Sequence, residues 1–105
     1  MIVYSTRLYD KWFDRLKDKT AKAVIDTRLR RIHLHGTFGD CDRVSKNVLE
    51  IKIDYGPGYR IYLTLRETKI IILLIGGDKS TQARDIKKAE RMATSTRTEE
   101  IAEWH

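Results

Sequence analysis

Three side chains suited to holding a phosphodiester fall on one face of a predicted hairpin. The segment VLEIKID alternates apolar with polar residues, and the segment YRIYLTL alternates again after the turn GPG at 56–58. Successive side chains of a strand point to opposite faces, so Lys52, Arg60 and Tyr62 are predicted to project away from the apolar face. Lysine and arginine attract phosphate, and tyrosine can stack on an unpaired base. The pattern therefore predicts a surface suited to single-stranded nucleic acid.

A fourth residue, Lys79, lies in the loop after the next predicted strand and can approach the same face. A purely structural interpretation is also open. Lys52 and Arg60 could keep an exposed sheet face soluble by pairing with Glu50 and Asp54 across the hairpin. Each residue alone fits either interpretation, whereas the group as a whole is more informative.

The charge of the chain favours an acidic partner. Lys and Arg number 21 against 15 Asp and Glu, so the formal net charge is +6 and the pI is near 9.6. A positive field of this kind attracts polyanions, and nucleic acid or an acidic protein is the expected partner. A basic soluble domain with no such partner fits the composition equally well, so the motifs have to decide.

Several chemistries are disfavoured by their motifs. The segment GGDKST has Asp78 and Leu73 where a phosphate-binding loop needs glycine, which argues against nucleotide binding. His33 and His35 have no Cys or carboxylate at metal-ligand spacing. Cys41 lies in an acidic segment that would raise its pKa, and no Ser, His and acid set is suggested. We therefore expect no cofactor and no metal.

Length and composition predict a single domain with one core. They also predict that the protein is cytoplasmic. A chain of 105 residues is too short to stabilise two separate cores, and 41% hydrophobic with 34% charged residues is typical of a folded domain. The single cysteine and the lack of an apolar N-terminal run argue against secretion and against a membrane span. The predicted domain covers 1–105, with a core at about 2–94 and a frayed or weakly docked tail at 95–105.

Two N-terminal helices are predicted by apolar residues at helical spacing. After a short first strand at 2–6, an apolar stripe from Leu8 to Leu16 predicts one helix. A second helix spans about 20–35 and ends at Gly36. The two form a helical hairpin. Its basic outer residues are either a solvated surface or phosphate contacts: Lys22, Arg28, Arg30 and Arg31.

The remaining pattern predicts a sheet and a last helix. After a loop at 37–47, the two hairpin strands are followed across a tight turn near 66–68 by IIILLI at 70–75, which is apolar on both sides and therefore predicts a central strand. The last helix follows DKSTQ and is capped by Asp78, Ser80 or Thr81. The predicted fold class is α+β, with an N-terminal helical hairpin on a small antiparallel sheet and a C-terminal helix.

Over roughly residues 4–93, the chain resembles the HigB-like addiction-module killer proteins of the RelE/ParE toxin superfamily. The resemblance is carried by the segments GPGYRIYLT and LLIGGDKSTQARDIKKA, together with the preceding WFDRLKDKTAKAVIDTRLRRI and LEIKI. The resemblance implies a RelE-like fold, in which two N-terminal helices cover the sheet. Many members are ribosome-dependent endoribonucleases (mRNA interferases) that inhibit translation. The implied partners are the ribosome, mRNA and a cognate antitoxin, expected to be a helix-turn-helix protein encoded alongside.

Cleavage of this kind uses the 2'-hydroxyl of the RNA as nucleophile, so the protein needs to orient the phosphate, stabilise charge and move two protons. On this model Arg60 holds the scissile phosphate, and Lys52 and Lys79 add positive charge. Tyr62, or less favourably Tyr59, stacks on a base. The last helix offers two further candidate RNA contacts, Arg84 and Lys87.

Two questions stay open at this level. RelE-type nucleases often carry a C-terminal tyrosine or histidine as acid or base, and residues 78–82 contain neither, which leaves Lys79 or His105 for that role. The target is the second question. ParE-like members share the fold but bind and poison DNA gyrase, and a non-catalytic member would bind only its antitoxin. The basic sheet face favours RNA over gyrase.

Overall fold

Six strands form one sheet, and helices cover both of its faces. A computed structural model describes residues 1–104. In chain order the elements are β1 (Ile2–Thr6), α1 (Arg7–Arg15), α2 (Lys19–His35), β2 (Cys41–Ser45), β3 (Val48–Ile53), β4 (Tyr59–Arg66), β5 (Ile70–Asp78), α3 (Gln82–Ser95) and β6 (Ile101–Glu103). The strand order is β2-β3-β4-β5-β1-β6, with β1 parallel to β5 and the other neighbours antiparallel. The predicted α+β class is confirmed and is compatible with a RelE-like fold.

The two N-terminal helices begin and end at the residues that local chemistry favours. Thr6 caps α1 through its side chain, and Asp18 Oδ1 accepts hydrogen bonds from the backbone N–H groups of Thr20 (2.9 Å) and Ala21 (3.1 Å) at the start of α2. Gly36 ends α2 with a φ of 68°, a left-handed conformation that glycine adopts without a Cβ clash. No helix within residues 1–104 has the length and apolar character needed to cross a membrane.

Apolar side chains pack in two clusters, one on each face of the sheet. The predicted central strand supplies both, because Ile71 and Leu73 face α1 and α2 whereas Ile72 and Leu74 face α3. The expectation of one core is therefore wrong. The helical hairpin packs on apolar residues of β3 and β4, as predicted: Leu49, Ile51, Ile53, Ile61 and Leu63.

The segment predicted as a loop at 37–47 contains an edge strand. Cys41–Ser45 forms β2, which pairs with β3. The turn that follows is held by Glu90 of α3, whose Oε1 accepts from the backbone N–H of Asn47 (2.9 Å) and whose Oε2 accepts from the Asn47 amide (2.8 Å). The polar residues that suggested a loop lie on an edge strand, where charged side chains face solvent.

The tail predicted to be frayed or weakly docked is docked, not frayed, over residues 101–104. Ile101–Glu103 forms β6 and pairs with β1, and the Trp104 N–H donates to the carbonyl of Val3 (2.9 Å). The physical reason is long-range, because β1 pairs with β5 along one side only and its other edge needs hydrogen-bond partners. The alternative proton-transfer residue, His105, lies outside the described residues.

Candidate functional site

The structure brings three of the predicted site residues together. Lys52, Arg60 and Lys79 line one cavity of about 250 Å³. Lys52 on β3 lies directly across from Arg60 on β4, and Lys79 follows the end of β5. The carboxylate-bearing residues Asp40 and Asp54 line the same cavity.

Arg60 is largely buried, and its buried Nε has no partner among the described residues. The residue is 9% exposed, its Nε has no hydrogen-bond partner, and no described residue forms an ion pair with it. The prediction that Arg60 lies on an open sheet face is therefore wrong, because α3 packs over this face of β4. A buried N–H group without a hydrogen-bond partner is unfavourable. An anion with several oxygens would supply the missing acceptors, and phosphate matches the planar guanidinium.

Lys52 pairs with Asp42 and not with Glu50 or Asp54, the two carboxylates predicted from the sequence. Its Nζ lies 2.6 Å from Oδ2 of Asp42 on β2. The hydrogen bond from this ammonium to Asp42, with the charge of the same carboxylate, raises the pKa of Lys52. Lys52 therefore keeps its positive charge beside Arg60 at neutral pH.

Replacing Asp42 by asparagine is expected to lower the pKa of Lys52 towards 10.5, since Asp42 is the main cause of the rise. A lysine with a raised pKa favours folding below its unfolded-state pKa, and this contribution is lost as the pH rises through the raised value. Any effect on stability is therefore confined to alkaline pH and is small for an exposed pair. NMR titration of the Lys52 ammonium in the two proteins measures the shift, and identical titration curves would contradict the pairing.

The turn GPG positions Lys79. Gly58 has a φ of 79°, and a Cβ at this residue would lie 3.0 to 3.1 Å from the Cε, Cδ and Cγ atoms of Lys79. The aliphatic part of Lys79 therefore crosses the turn closely, where a larger residue would displace it. Asp78 caps the 3-10 turn that contains Lys79, because its Oδ1 accepts from the Ser80 N–H (2.8 Å).

Gly77 lies beside Arg60 in the sheet and Asp85 packs against Gly77, and neither residue was predicted from the sequence. Gly77 is the partner of Arg60 on β5, and a Cβ there would collide with Oδ2 of Asp85 on α3. Asp85 is buried and accepts a hydrogen bond from the hydroxyl of Thr81 (2.6 Å). The glycine thus lets the first turn of α3 lie against β5. Its position just after the strand predicted at 70–75 was the available sequence signal.

Arg28 has a structural role that its place on a basic helix face did not reveal. Its Nη1 donates to the carbonyl of Lys52 (2.8 Å), and its Nη2 donates to the carbonyls of Phe38 (3.0 Å) and Asp40 (3.3 Å). Arg28 therefore ties the segment before β2 to β3 at the edge of the cavity. It is neither a purely solvated residue nor a free phosphate contact.

Tyr62 does not lie where the sheet alternation suggested a stacking surface. It is fully buried beneath α3, beside the buried Glu50 on β3. Burial, with the neighbouring Glu50, raises the pKa of Tyr62. Oε2 of Glu50 accepts from the Gln82 side chain of α3 (2.8 Å). The predicted stacking of Tyr62 on a base is therefore wrong, because the helix occupies that space.

The other predicted RNA contacts lie outside the cavity. Tyr59 is half-buried on the opposite side of β4 from Arg60, where its ring meets that of Trp12 edge to face at 6.1 Å. Arg84 and Lys87 are exposed on α3, and Arg84 Nε lies 3.8 Å from the Asp85 carboxylate. Both remain predicted as outer contacts.

Cys41 and the candidate metal ligands lie in the following surroundings. Burial and the nearby Asp42 raise the pKa of the half-buried Cys41 thiol, as predicted, although Cys41 lies on a strand. Within residues 1–104, no three His, Cys, Asp or Glu side chains form a group that could hold a metal ion. The cavity instead combines three cationic side chains with two carboxylates, a set that can bind a phosphate and accept a proton.

The residues that line this cavity lie within the part of the chain that matches a known protein family. Residues 11–97 match the family described as phage derived protein Gp49-like (DUF891). A protein of Haemophilus influenzae described as uncharacterized is 44% identical over 91 residues, which cover 87% of this chain and 91% of the relative. The family match includes Lys52, Arg60 and Lys79. The chain therefore belongs to the phage-derived Gp49-like family, a toxin-like family related to the addiction-module killer proteins.

Proposed function

We propose that this protein is the toxin of a type II toxin–antitoxin system and that it cleaves ribosome-bound mRNA without a metal ion. The observation that carries the proposal is the largely buried Arg60, whose Nε has no partner among the described residues and which lines one cavity with Lys52 and Lys79. A phosphodiester would supply the acceptors that Arg60 lacks. Membership of a toxin-like family and the net charge of +6 support the same conclusion.

The proposed reaction transfers a phosphoryl group from the 5'-oxygen of one nucleotide to the 2'-oxygen of the nucleotide before it. The 2'-hydroxyl attacks the adjacent phosphorus and loses its proton, while the bond from phosphorus to the 5'-oxygen of the next nucleotide breaks and that oxygen gains a proton. Arg60 holds two non-bridging oxygens, and Lys52 adds positive charge where negative charge develops. The products are a 2',3'-cyclic phosphate and a 5'-hydroxyl.

The cavity also contains groups that can move the two protons. The carboxylates of Asp40 and Asp54 line it and can accept the proton of the 2'-hydroxyl. The exposed ammonium of Lys79 can donate a proton to the departing 5'-oxygen. Residues 78–82 contain no tyrosine or histidine that could act as acid or base. In this proposal, the two carboxylates and Lys79 take these roles.

The test is induction in a bacterial host, with amino-acid and thymidine incorporation followed separately and ribosome-bound mRNA mapped for cuts. Protein synthesis should stop first, and Lys79→Ala should reduce cleavage by about a hundredfold, the scale of one lost electrostatic contact. Lys69→Ala is the matched control, because Lys69 is exposed at the opposite end of β4. Co-expression of the neighbouring reading frame should restore growth through a complex. Arrest of replication with intact mRNA would replace this proposal with the gyrase-binding one.

A further inference from the structure

A second cavity, of about 330 Å³, has the opposite charge from the Arg60 site. It lies among α1, α2 and the last strand, at the other edge of the sheet. Four of its lining residues carry carboxylates: Asp10, Asp14, Asp26 and Glu103. Such a concentration is notable in a chain with a net charge of +6. Two aromatic residues, Phe13 and Trp104, also line this cavity.

Tyr9 contributes a buried polar group with unused hydrogen-bonding capacity to this cavity wall. The residue is 2% exposed, and its hydroxyl has no hydrogen-bond partner among the described residues. Burial is the main cause that raises the pKa of Tyr9, and the charges of Asp26 and Asp10 add to it. The phenol therefore stays neutral and can still accept a hydrogen bond from a donor.

The protein neutralises this negative charge only in part. Ser5 donates a hydrogen bond to Asp10 Oδ1 (2.7 Å), but Asp10, Asp14 and Asp26 form no ion pair with a described residue. Lys22 and Arg30 lower the pKa of Asp26, yet desolvation of this carboxyl outweighs them and the net shift is upward. The ammonium of Lys22 lies 5.4 Å from the centre of the Phe13 ring, so it flanks the cavity.

We propose that this cavity binds the guanidinium group of an arginine side chain presented by a protein partner. Carboxylates can accept the paired N–H groups of a guanidinium, and aromatic walls stack on its planar face. A metal ion is a poorer occupant, because no metal-holding group is formed within residues 1–104. β6, which supplies Glu103 and Trp104, is the outermost strand, so a partner segment lying beside it can direct a side chain inward.

The two tryptophans make the proposal directly measurable. Trp104 lines this cavity, whereas Trp12 packs near Gly76 of β5, and their indole N–H signals are separate probes in an NMR titration of the intact protein. N-acetylarginine amide should shift the Trp104 signal saturably and by more than the Trp12 signal, because Trp12 does not line the cavity and meets it through the Tyr9 ring, 5.8 Å away between centroids. N-acetylcitrulline amide, which has the same shape but no charge, should cause no shift. A parallel titration with spermidine tests whether the cavity binds a free polyamine more tightly than it binds an arginine side chain.

Variants connect the signal to the carboxylates. Asp26→Asn should weaken binding of N-acetylarginine amide about fivefold, the upper range for one exposed charge pair. Glu99→Gln removes an equal charge from an exposed residue outside this cavity and should leave binding unchanged. An unchanged Trp12 signal verifies the fold of each variant. No saturable shift, equal shifts with the citrulline compound, tighter binding of spermidine, or wild-type affinity in Asp26→Asn would each overturn the proposal.

Discussion

Replacement of Arg60 by methionine is expected to lower the rate of ribosome-bound mRNA cleavage by about a hundredfold or more. Methionine keeps an apolar stem in the space beneath α3 but removes the charge that would hold the phosphate. Arg60→Lys should recover only part of the rate, because an ammonium lacks the planar fork that binds two phosphate oxygens. Cleavage of a defined mRNA on purified ribosomes measures all three proteins.

Stability has to be measured on the same preparations, because Arg60 is buried. Arg60→Ala leaves unfilled space as well as removing charge, and we expect it to lower the free energy of unfolding by about 1 to 3 kcal/mol. The sheet alternation predicted an exposed Arg60, whose replacement would hardly change the free energy of unfolding. Because Arg60 is buried, we expect the larger change. A folded Arg60→Met protein that cleaves at the wild-type rate would remove Arg60 from the proposed chemistry.

Truncation of Ile61 to alanine is expected to lower the free energy of unfolding by about 2 to 5 kcal/mol. Ile61 follows Arg60 on β4, but its side chain lies on the other face, fully buried against the helical hairpin. Removal of three carbons there opens a cavity among well-packed neighbours. Urea denaturation followed by circular dichroism measures the change.

Ile61→Val is the matched control, and it should cost about 0.5 to 1.5 kcal/mol because only one methyl group is lost. Cleavage per folded molecule should stay close to wild type in both variants, since Ile61 does not line the cavity with Arg60. Equal stability of the alanine variant and the wild type would contradict the assignment of Ile61 to the core.

Local sequence patterns were sufficient for most of the elements. Helix α2 combines an apolar stripe with a glycine that ends it, and β3 and β4 carry apolar residues at alternate positions on either side of a glycine turn. The central position of β5 followed from its apolar residues on both sides. These features depend on residues close in the chain, so periodicity and turn chemistry predict them.

The two edge strands could not be predicted in the same way. β2 reads as polar loop residues, and β6 has only three residues. Each forms because a neighbouring strand presents unpaired N–H and C=O groups that need partners. That requirement depends on the completed sheet and leaves little trace in the local sequence.

For the candidate site, the sequence alone determined which residue types share a strand face, whereas tertiary packing decided what that face contacts. Alternation correctly placed Lys52 and Arg60 on one face, and Lys79 reaches the same cavity. It did not reveal that α3 covers Tyr62 and most of Arg60, because an exposed polar face and a face beneath a helix have the same period of two. The docked helix turned Tyr62 from a predicted surface contact into a core residue, and it left Arg60 largely buried, with an Nε that has no partner within residues 1–104.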